Sequence, residues 1–299
     1  MDEVDISLCK MLNANSRAPY RDLAERLGLS VNAVHKRIQN LVDLGIIDRF
    51  RAMVDSRCFS PIFTLINGRA DVVDLEAAIG RIGEDPRTYR IIVAGGDVIY
   101  VHGILRDLGE LDDYVTMVRN DTDLDDPLVG VAQPPSAGSL PELSRLDYRI
   151  VKALKEDSRR PLIEVAEEVN TSIKTVRRRL KRMVDVHAIR MCIDFEPTAS
   201  GDIVAFVHAL LKDGGERDAV VQDLVNNFQP SMLGASYMQD HPDLLFITLW
   251  AKSMKELKEQ KGKLMASGKF RRMVTNIFFE SYEFESWTDT ELDRRASGQ

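Results

Sequence analysis

Six cations crowd one short stretch of the chain: Lys174, Arg177, Arg178, Arg179, Lys181 and Arg182. Among them, at steps of three and four, stand Ile173, Val176, Leu180 and Met183. That spacing is the period of a helix with one buried stripe, so the cations share the opposite face. A solvated helix face mixes both signs of charge, yet no acid falls between Asn170 and Asp185. Such a face suits a helix lying against phosphates. A milder version occupies residues 31–41. Its stripe is Val31, Val34, Ile38 and Leu41, and its outer face carries Asn32, His35, Lys36, Arg37, Gln39 and Asn40. Asn and Gln make bidentate hydrogen bonds with adenine, so this face has fewer charges and more base-reading chemistry.

These two stretches belong to a repeat. Asp5 recurs as Asp147. The same offset maps Lys10 to Lys152, Leu12 to Leu154, Ser16-Arg17 to Ser158-Arg159, Pro19 to Pro161, Ala24-Glu25 to Ala166-Glu167, Arg37 to Arg179 and Ile47 to Ile189, without a gap. A period this long exceeds that of a solenoid repeat and signals a tandem duplication. In each copy a proline opens a short helix, where no N–H is needed. Gly28 or Asn170 ends it, these being the types that best tolerate left-handed backbone. Ser30 or Ser172 follows, able to cap the next helix through its hydroxyl. Each copy therefore reads helix, helix, tight turn, helix, with the third helix as recognition element.

The net charge of −7 looks wrong for such a chain until it is divided. Residues 1–51 hold 8 basic against 7 acidic residues, and residues 144–190 hold 13 against 7. The acid lies elsewhere, with 7 against 16 over residues 52–143 and 12 against 17 over 191–299. Local charge decides phosphate binding, so the second copy should supply most of the sequence-independent affinity. The apolar fraction of 44% supports folded cores, and no apolar run approaches the roughly 20 residues of a membrane helix. The acidic Met1-Asp2-Glu3 start lacks the features of a signal peptide, and Cys9, Cys58 and Cys192 are too scattered for a disulfide framework. A soluble, cytoplasmic protein is expected. The five histidines have no metal-binding spacing with the cysteines, and no phosphate loop or dinucleotide fingerprint appears. No metal or cofactor is expected.

The segments after the two readers carry a second pattern. Strands rich in β-branched and aromatic residues fall at 203–211, 232–238, 244–251 and 273–284, with helices at 216–228 and 253–266. That order, β-α-β-β-α-β, is ferredoxin-like. The middle segment repeats it more weakly, with strands at 62–67, 89–94, 98–105 and near 128–131, and helices at 72–82 and 108–119. The fold class is thus α+β: two winged or plain helix-turn-helix domains alternating with two ferredoxin-like domains. The expected boundaries are 1–55, 56–132, a linker of turn-forming composition at 133–143, 144–197 and 198–286, with a disordered tail at 287–299.

Taken in order, Asp5–Leu12, Ser16-Arg17, Leu23-Ala24, Leu27-Gly28-Leu29-Ser30, Lys36-Arg37-Ile38, Leu41 and Gly45-Ile46-Ile47 resemble the Lrp/AsnC (feast-or-famine) family of bacterial and archaeal transcription regulators. Gly95-Gly96-Asp97 is similar to that family's Gly-Asp hairpin. The usual family chain has one reader and one effector domain; this one has two of each. Its second hairpin reads Gln239-Asp240-His241-Pro242-Asp243 instead.

The resemblance implies a regulator of transcription that binds double-stranded DNA and is not an enzyme. It implies pairing through the ferredoxin-like sheets. A duplicated chain can form that pair within itself, and a homodimer of such chains would be a pseudo-tetramer of repeats. Diverged readers imply asymmetric half-sites. The expected base contacts are Asn32, His35, Lys174, Thr175 and Arg178, and the expected phosphate contacts Lys36, Arg37, Arg177, Arg179 and Arg182, beside the capping Ser30 and Ser172. A small-molecule effector such as an amino acid would meet Gly95, Gly96, Asp97 and Asp240. An alternative is a siroheme decarboxylase-like enzyme, since such enzymes resemble the same family. It would use His241 as proton donor or propionate ligand, but position 239 is Gln where an arginine is expected.

Overall fold

The computed structural model describes residues 1–132, 140–212 and 217–298. In chain order the first half runs α1 (Glu3–Ala14), α2 (Tyr20–Leu27), α3 (Val31–Asp43), β1 (Ile47–Val54), β2 (Ile62–Arg69), α4 (Leu75–Gly83), β3 (Thr88–Ala94), β4 (Val98–Leu105), α5 (Leu111–Thr122) and β5 (Asp125–Ala132). The second half runs α6 (Arg145–Ala153), α7 (Leu162–Glu168), α8 (Ile173–Asp185), β6 (Ile189–Phe195), β7 (Ile203–Leu211), α9 (Arg217–Asn227), β8 (Met232–Tyr237), β9 (Leu244–Ala251), α10 (Met254–Ala266), β10 (Phe270–Glu283) and α11 (Trp287–Ser297). Most of the linker expected at 133–143, and the residues just before α9, lie outside the described residues.

The chain divides into two compact units, and neither follows the halves of the duplication. One gathers both readers and α11; the other gathers both ferredoxin-like segments.

In the reader unit each copy contributes three helices and one strand. The strands β1 and β6 pair antiparallel, with Phe50 opposite Ile193 and Arg51 opposite Cys192. Phe50 and Cys192 are repeat equivalents, as are Arg51 and Ile193, so a pseudo-twofold axis passes between residues 50 and 51. The wing is therefore no hairpin inside either copy; each copy supplies one strand of a shared ribbon. The strands are also exchanged between the helical cores. Helix α1 packs on β6, and the Ala52 N–H of β1 donates to Leu154 O at 3.0 Å. Ala52 is buried inside the second copy's core, among Leu154, Val165, Val176 and Met183.

The tail expected to be disordered is helix α11, which packs on α6. Its Trp287, Leu292 and Ala296 are buried. Arg295 lies over the Tyr148 ring and donates to its hydroxyl at 2.6 Å. Three widely spaced apolar residues among charges escape a periodicity reading, yet they suffice to cover an existing core.

In the other unit each segment forms four strands in the order fourth-first-third-second, β5-β2-β4-β3 and β10-β7-β9-β8. The two join edge to edge into eight strands because β10 is long. Its Phe270–Ile277 stretch pairs with β7, and its Phe278–Glu283 stretch with β3. Period-2 alternation sends Ile99 and Val101 under the helices of the first segment, while Tyr100 faces Phe206, Phe246 and Leu244 from the second. Tyr100 Oη lies 2.8 Å from His208 Nε2 and accepts from Asn276 Nδ2 at 2.5 Å. Burial of this apolar face holds His208 well below the ordinary imidazole value, at about 4. The sheet pairing that the resemblance implies between family members thus occurs within one chain.

Candidate nucleic-acid interface

Each recognition helix is built the same way. Gly28 (φ 65°) and Asn170 (φ 54°) end the preceding helices in left-handed conformation. Ser30 Oγ then accepts the Ala33 N–H at 3.1 Å, and Ser172 Oγ the Thr175 N–H at 3.1 Å. The capping expected of both serines is present. Pro19 and Pro161 sit one residue earlier than expected, at the N-cap positions of α2 and α7. The buried stripes are Val34, Ile38 and Leu41 in α3, and Val176, Leu180 and Met183 in α8. Val31, placed in the first stripe by its spacing, is 46% exposed, and Ile173 is half-buried. Both lie in the first helical turn, where the stripe runs off the core.

The opposite faces are open. Asn32, His35 and Lys36 are exposed on α3; Lys174, Arg177, Arg178, Lys181 and Arg182 are exposed on α8, with Thr175 half-buried beside its cap. His35 packs edge-on against Tyr20 of α2, with ring centroids 5.6 Å apart. Lys181 pairs with Asp185 at 2.6 Å, and Arg182 reaches Asp147 at 3.7 Å.

Two of the expected phosphate contacts are otherwise engaged. Arg37 bridges Asp2 at 2.9 Å and Asp5 at 2.7 Å. Its equivalent Arg179 bridges Asp147 at 3.0 Å and donates to Ser144 Oγ at 3.0 Å. The same carboxylates close capping boxes at the starts of α1 and α6. Burial pushes the Asp147 carboxyl up, but hydrogen bonds from Ser144 and the Arg179 guanidinium outweigh it and hold the group below the usual carboxylate range. Arg37 and Arg179 therefore fasten the recognition helix to the first helix of its own copy. The sequence did show Asp5 and Asp147 at the repeat offset; it did not show that they meet these arginines.

The expected effector residues do not form one site. Gly95, Gly96 (φ 76°) and Asp97 (φ 59°) make the β3–β4 turn, a three-residue loop between the paired Ala94 and Val98 whose last two positions are left-handed. The Gly95 N–H donates to Ile277 O at 2.9 Å, and Asp97 O accepts from Ala70 N at 2.9 Å. Asp240 lies at the opposite strand end. Arg69 of β2 stands opposite Val98, next to that turn, whereas Phe63 stands opposite Ala132, next to the Val131 N–H that Asp240 Oδ1 accepts at 3.0 Å. His241 Nε2 lies 2.9 Å from Val129 O. Asp240 and His241 thus pin the β8–β9 turn onto β5.

The AsnC-type helix-turn-helix domain family matches the chain twice, at residues 1–42 and 143–184. An HTH-type transcriptional regulator of Pyrococcus furiosus is 28% identical over 95 residues, 32% of this chain and 64% of that one. The HTH-type transcriptional regulator LysM of Sulfurisphaera tokodaii is 42% identical over 50 residues, 17% of this chain and 36% of its own. The chain thus spans less than two thirds of the length of these curated relatives. Among solved structures, the siroheme decarboxylase NirDL has the same fold over 99% of both chains, with a TM-score of 0.60 at 17% identity. An AsnC-type helix-turn-helix domain thus heads each of the chain's two repeats.

Proposed function

We propose that this protein is a sequence-specific, DNA-binding transcription regulator of Lrp/AsnC type that reads asymmetric half-sites. The carrying observation is the pair of open recognition faces, one rich in Asn and His, the other in Lys and Arg, held about one pseudo-twofold axis inside a single chain. Paired readers favour half-sites about one helical turn apart or a multiple of it, and unlike readers favour unlike half-sites. Asn32, His35, Lys174, Thr175 and Arg178 take the base edges. Lys36, Arg177 and Arg182 take phosphates, flanked by the capping Ser30 and Ser172. Two chains form a homodimer, a pseudo-tetramer of repeats. A small-molecule effector, an amino acid among the candidates, would act through the β3–β4 turn at Gly95-Gly96-Asp97. No helix among the described residues is long and apolar enough to cross a membrane, in keeping with a protein that works on cytoplasmic DNA.

The test is retention of fragmented genomic DNA on the purified chain at two salt concentrations, followed by sequencing. A few fragments held at the higher salt support the reading and give the operator; a perfect palindrome would sink the asymmetry. Uniform retention that vanishes with salt would reduce the function to electrostatic binding.

A second reading, a siroheme decarboxylase-like enzyme, is favoured by the whole-length likeness of fold to NirDL. His241 is held by β5 backbone, which weakens its part in it as proton donor or propionate ligand. Carbon dioxide release from siroheme by the pure chain would establish this reading, and its absence alongside specific DNA retention would remove it.

A further inference from the structure

Ser16 and Ser158 are repeat equivalents, and their hydroxyls are buried 2.6 Å apart. A residue bonded to its own equivalent lies on the pseudo-twofold axis. The next residues, Arg17 and Arg159, cross that axis. Arg17 Nη1 donates to Ser158 O and, at 3.1 Å, to Arg160 O. Arg159 Nε donates to Ser16 O at 2.8 Å, and its Nη1 to Tyr20 Oη at 2.9 Å. The Arg159 guanidinium is stacked 3.7 Å from the Phe50 ring centroid and 5.3 Å from that of Tyr20. Two guanidiniums are thus fixed side by side by carbonyls, a hydroxyl and rings. Among the described residues neither forms an ion pair with a carboxylate within 4 Å, and Arg159 Nη2 is buried without a hydrogen-bond partner. Arg17, Ala18, Tyr20 and Arg159 line a cavity of about 200 Å³.

We propose that Arg17, Tyr20 and Arg159 form a binding site for one tetrahedral oxyanion, a backbone phosphate of DNA bound across the reader pair. The source of the phosphate rests on the DNA-binding reading above; the site itself does not. A rigid guanidinium fork with a spare N–H is the group best matched to a phosphate. Burial lowers the proton affinity of both guanidiniums, the condition an incoming anion relieves. Location points to DNA, because Tyr20 contacts both Arg159 and His35 of the recognition face.

The site is single. Across the axis, Arg160 and Leu162 replace Ala18 and Tyr20. Leu162 has no hydroxyl, and Arg160 is occupied by Glu168 at 2.8 Å and Glu164 at 3.7 Å. A symmetric dimer would carry two such pockets; this chain carries one, which would fix its direction on an asymmetric operator.

The test uses the full chain, with inorganic phosphate and with duplex DNA as probes, in wild type, Arg159→Gln and Tyr20→Phe. Phosphate, compared with chloride at equal ionic strength, should raise the wild-type melting temperature. It should do so severalfold less in either variant. Arg159→Gln should lower the slope of log affinity against log salt by about 0.9 on every duplex alike. Tyr20→Phe keeps the ring and serves if Arg159→Gln fails to fold. Loss of phosphate protection with an unchanged salt slope would assign the pocket to a free oxyanion and overturn its role on DNA. No phosphate effect and no slope change would overturn the site. If the wild type binds no DNA, the regulator reading fails by itself, while the phosphate arm still decides the pocket.

Discussion

The first and second readers share a scaffold and differ in what they present. Both fasten the recognition helix to the first helix through an arginine, Arg37 or Arg179, on a capping-box aspartate. Both turn through a left-handed residue and cap with serine. On the open faces, by contrast, Asn32 becomes Lys174, His35 becomes Arg177 and Asn40 becomes Arg182. The arginine–aspartate pairs and the capping serines kept their types after duplication, while these three outward positions changed. In a homodimer one mutation changes both readers together. Within one chain each reader varies alone, so one face can specialise in base edges and the other in phosphates.

The largest effect should come from the scaffold. Asp147 is buried, with 0% of its side chain exposed, while Asp5 keeps 13%. Replacing Asp147 by Ala takes the carboxylate from Arg179, leaving it Ser144 Oγ, and opens the capping box. With the arginine partly exposed, the loss should lie at or below the about 3–5 kcal/mol of a fully buried pair. Asp5→Ala should cost visibly less, because its arginine keeps Asp2. Urea unfolding of both variants reads the difference, and equal losses would break the claim that the second copy is the more tightly locked. Acid should act in the same direction. The Asp147 carboxyl is depressed below its ordinary 3.8, so its stabilisation is complete above that pH and is lost as pH falls through the lower folded value. Wild type should therefore lose stability over that window, and the Asp147→Ala chain should not lose this component.

On DNA the two faces should fail in different ways. Asn32→Ala should cost roughly 1–3 kcal/mol and relax the sequence preference of one half-site. Arg177→Gln should weaken all sequences alike and flatten the salt slope by about 0.9. Competition binding against a randomised half-site library separates the two. If Arg177→Gln changed the preference and Asn32→Ala did not, the division of labour would be reversed. Arg179→Gln provides the control: it should lower stability with little change in salt slope, since its guanidinium is occupied inside the copy.

Much of this was legible in the residues. The repeat offset, the capping serines, the buried stripes and the strand order all rest on local periodicity or local turn chemistry. What stayed hidden depends on partners distant in sequence. Nothing in the residues of β1 says that Arg51 will lie opposite Cys192 or that Ala52 will enter the other copy's core. Arg37 looks like any exposed cation until α1 is placed beside α3. Asp240 looks free until the β8–β9 turn meets β5. Helix α11 is stabilised by the surface it covers more than by its own sequence. The rule in each case is the same: spacing shows which face a residue occupies, and only the packed fold shows what stands opposite.

The smallest effect tests the scaffold from the other side. After each recognition helix the chain turns through a left-handed residue, Gly45 at φ 70° in the first copy and His187 at φ 55° in the second. A residue with a Cβ is strained there by roughly 1–2 kcal/mol, while glycine loses more backbone entropy on folding, about 0.5–1 kcal/mol. The His187 side chain is exposed, and its backbone oxygen, which accepts from Arg57 Nη2 at 3.3 Å, survives substitution. His187→Gly should therefore stabilise the protein by about 0.5–1 kcal/mol, and Gly45→His should destabilise it by a similar amount. DNA affinity should stay constant in both, because neither residue belongs to a recognition face. A shift in affinity with unchanged stability would place this turn on the DNA and make the second copy's histidine a contact, which would move the boundary between scaffold and reading surface drawn here.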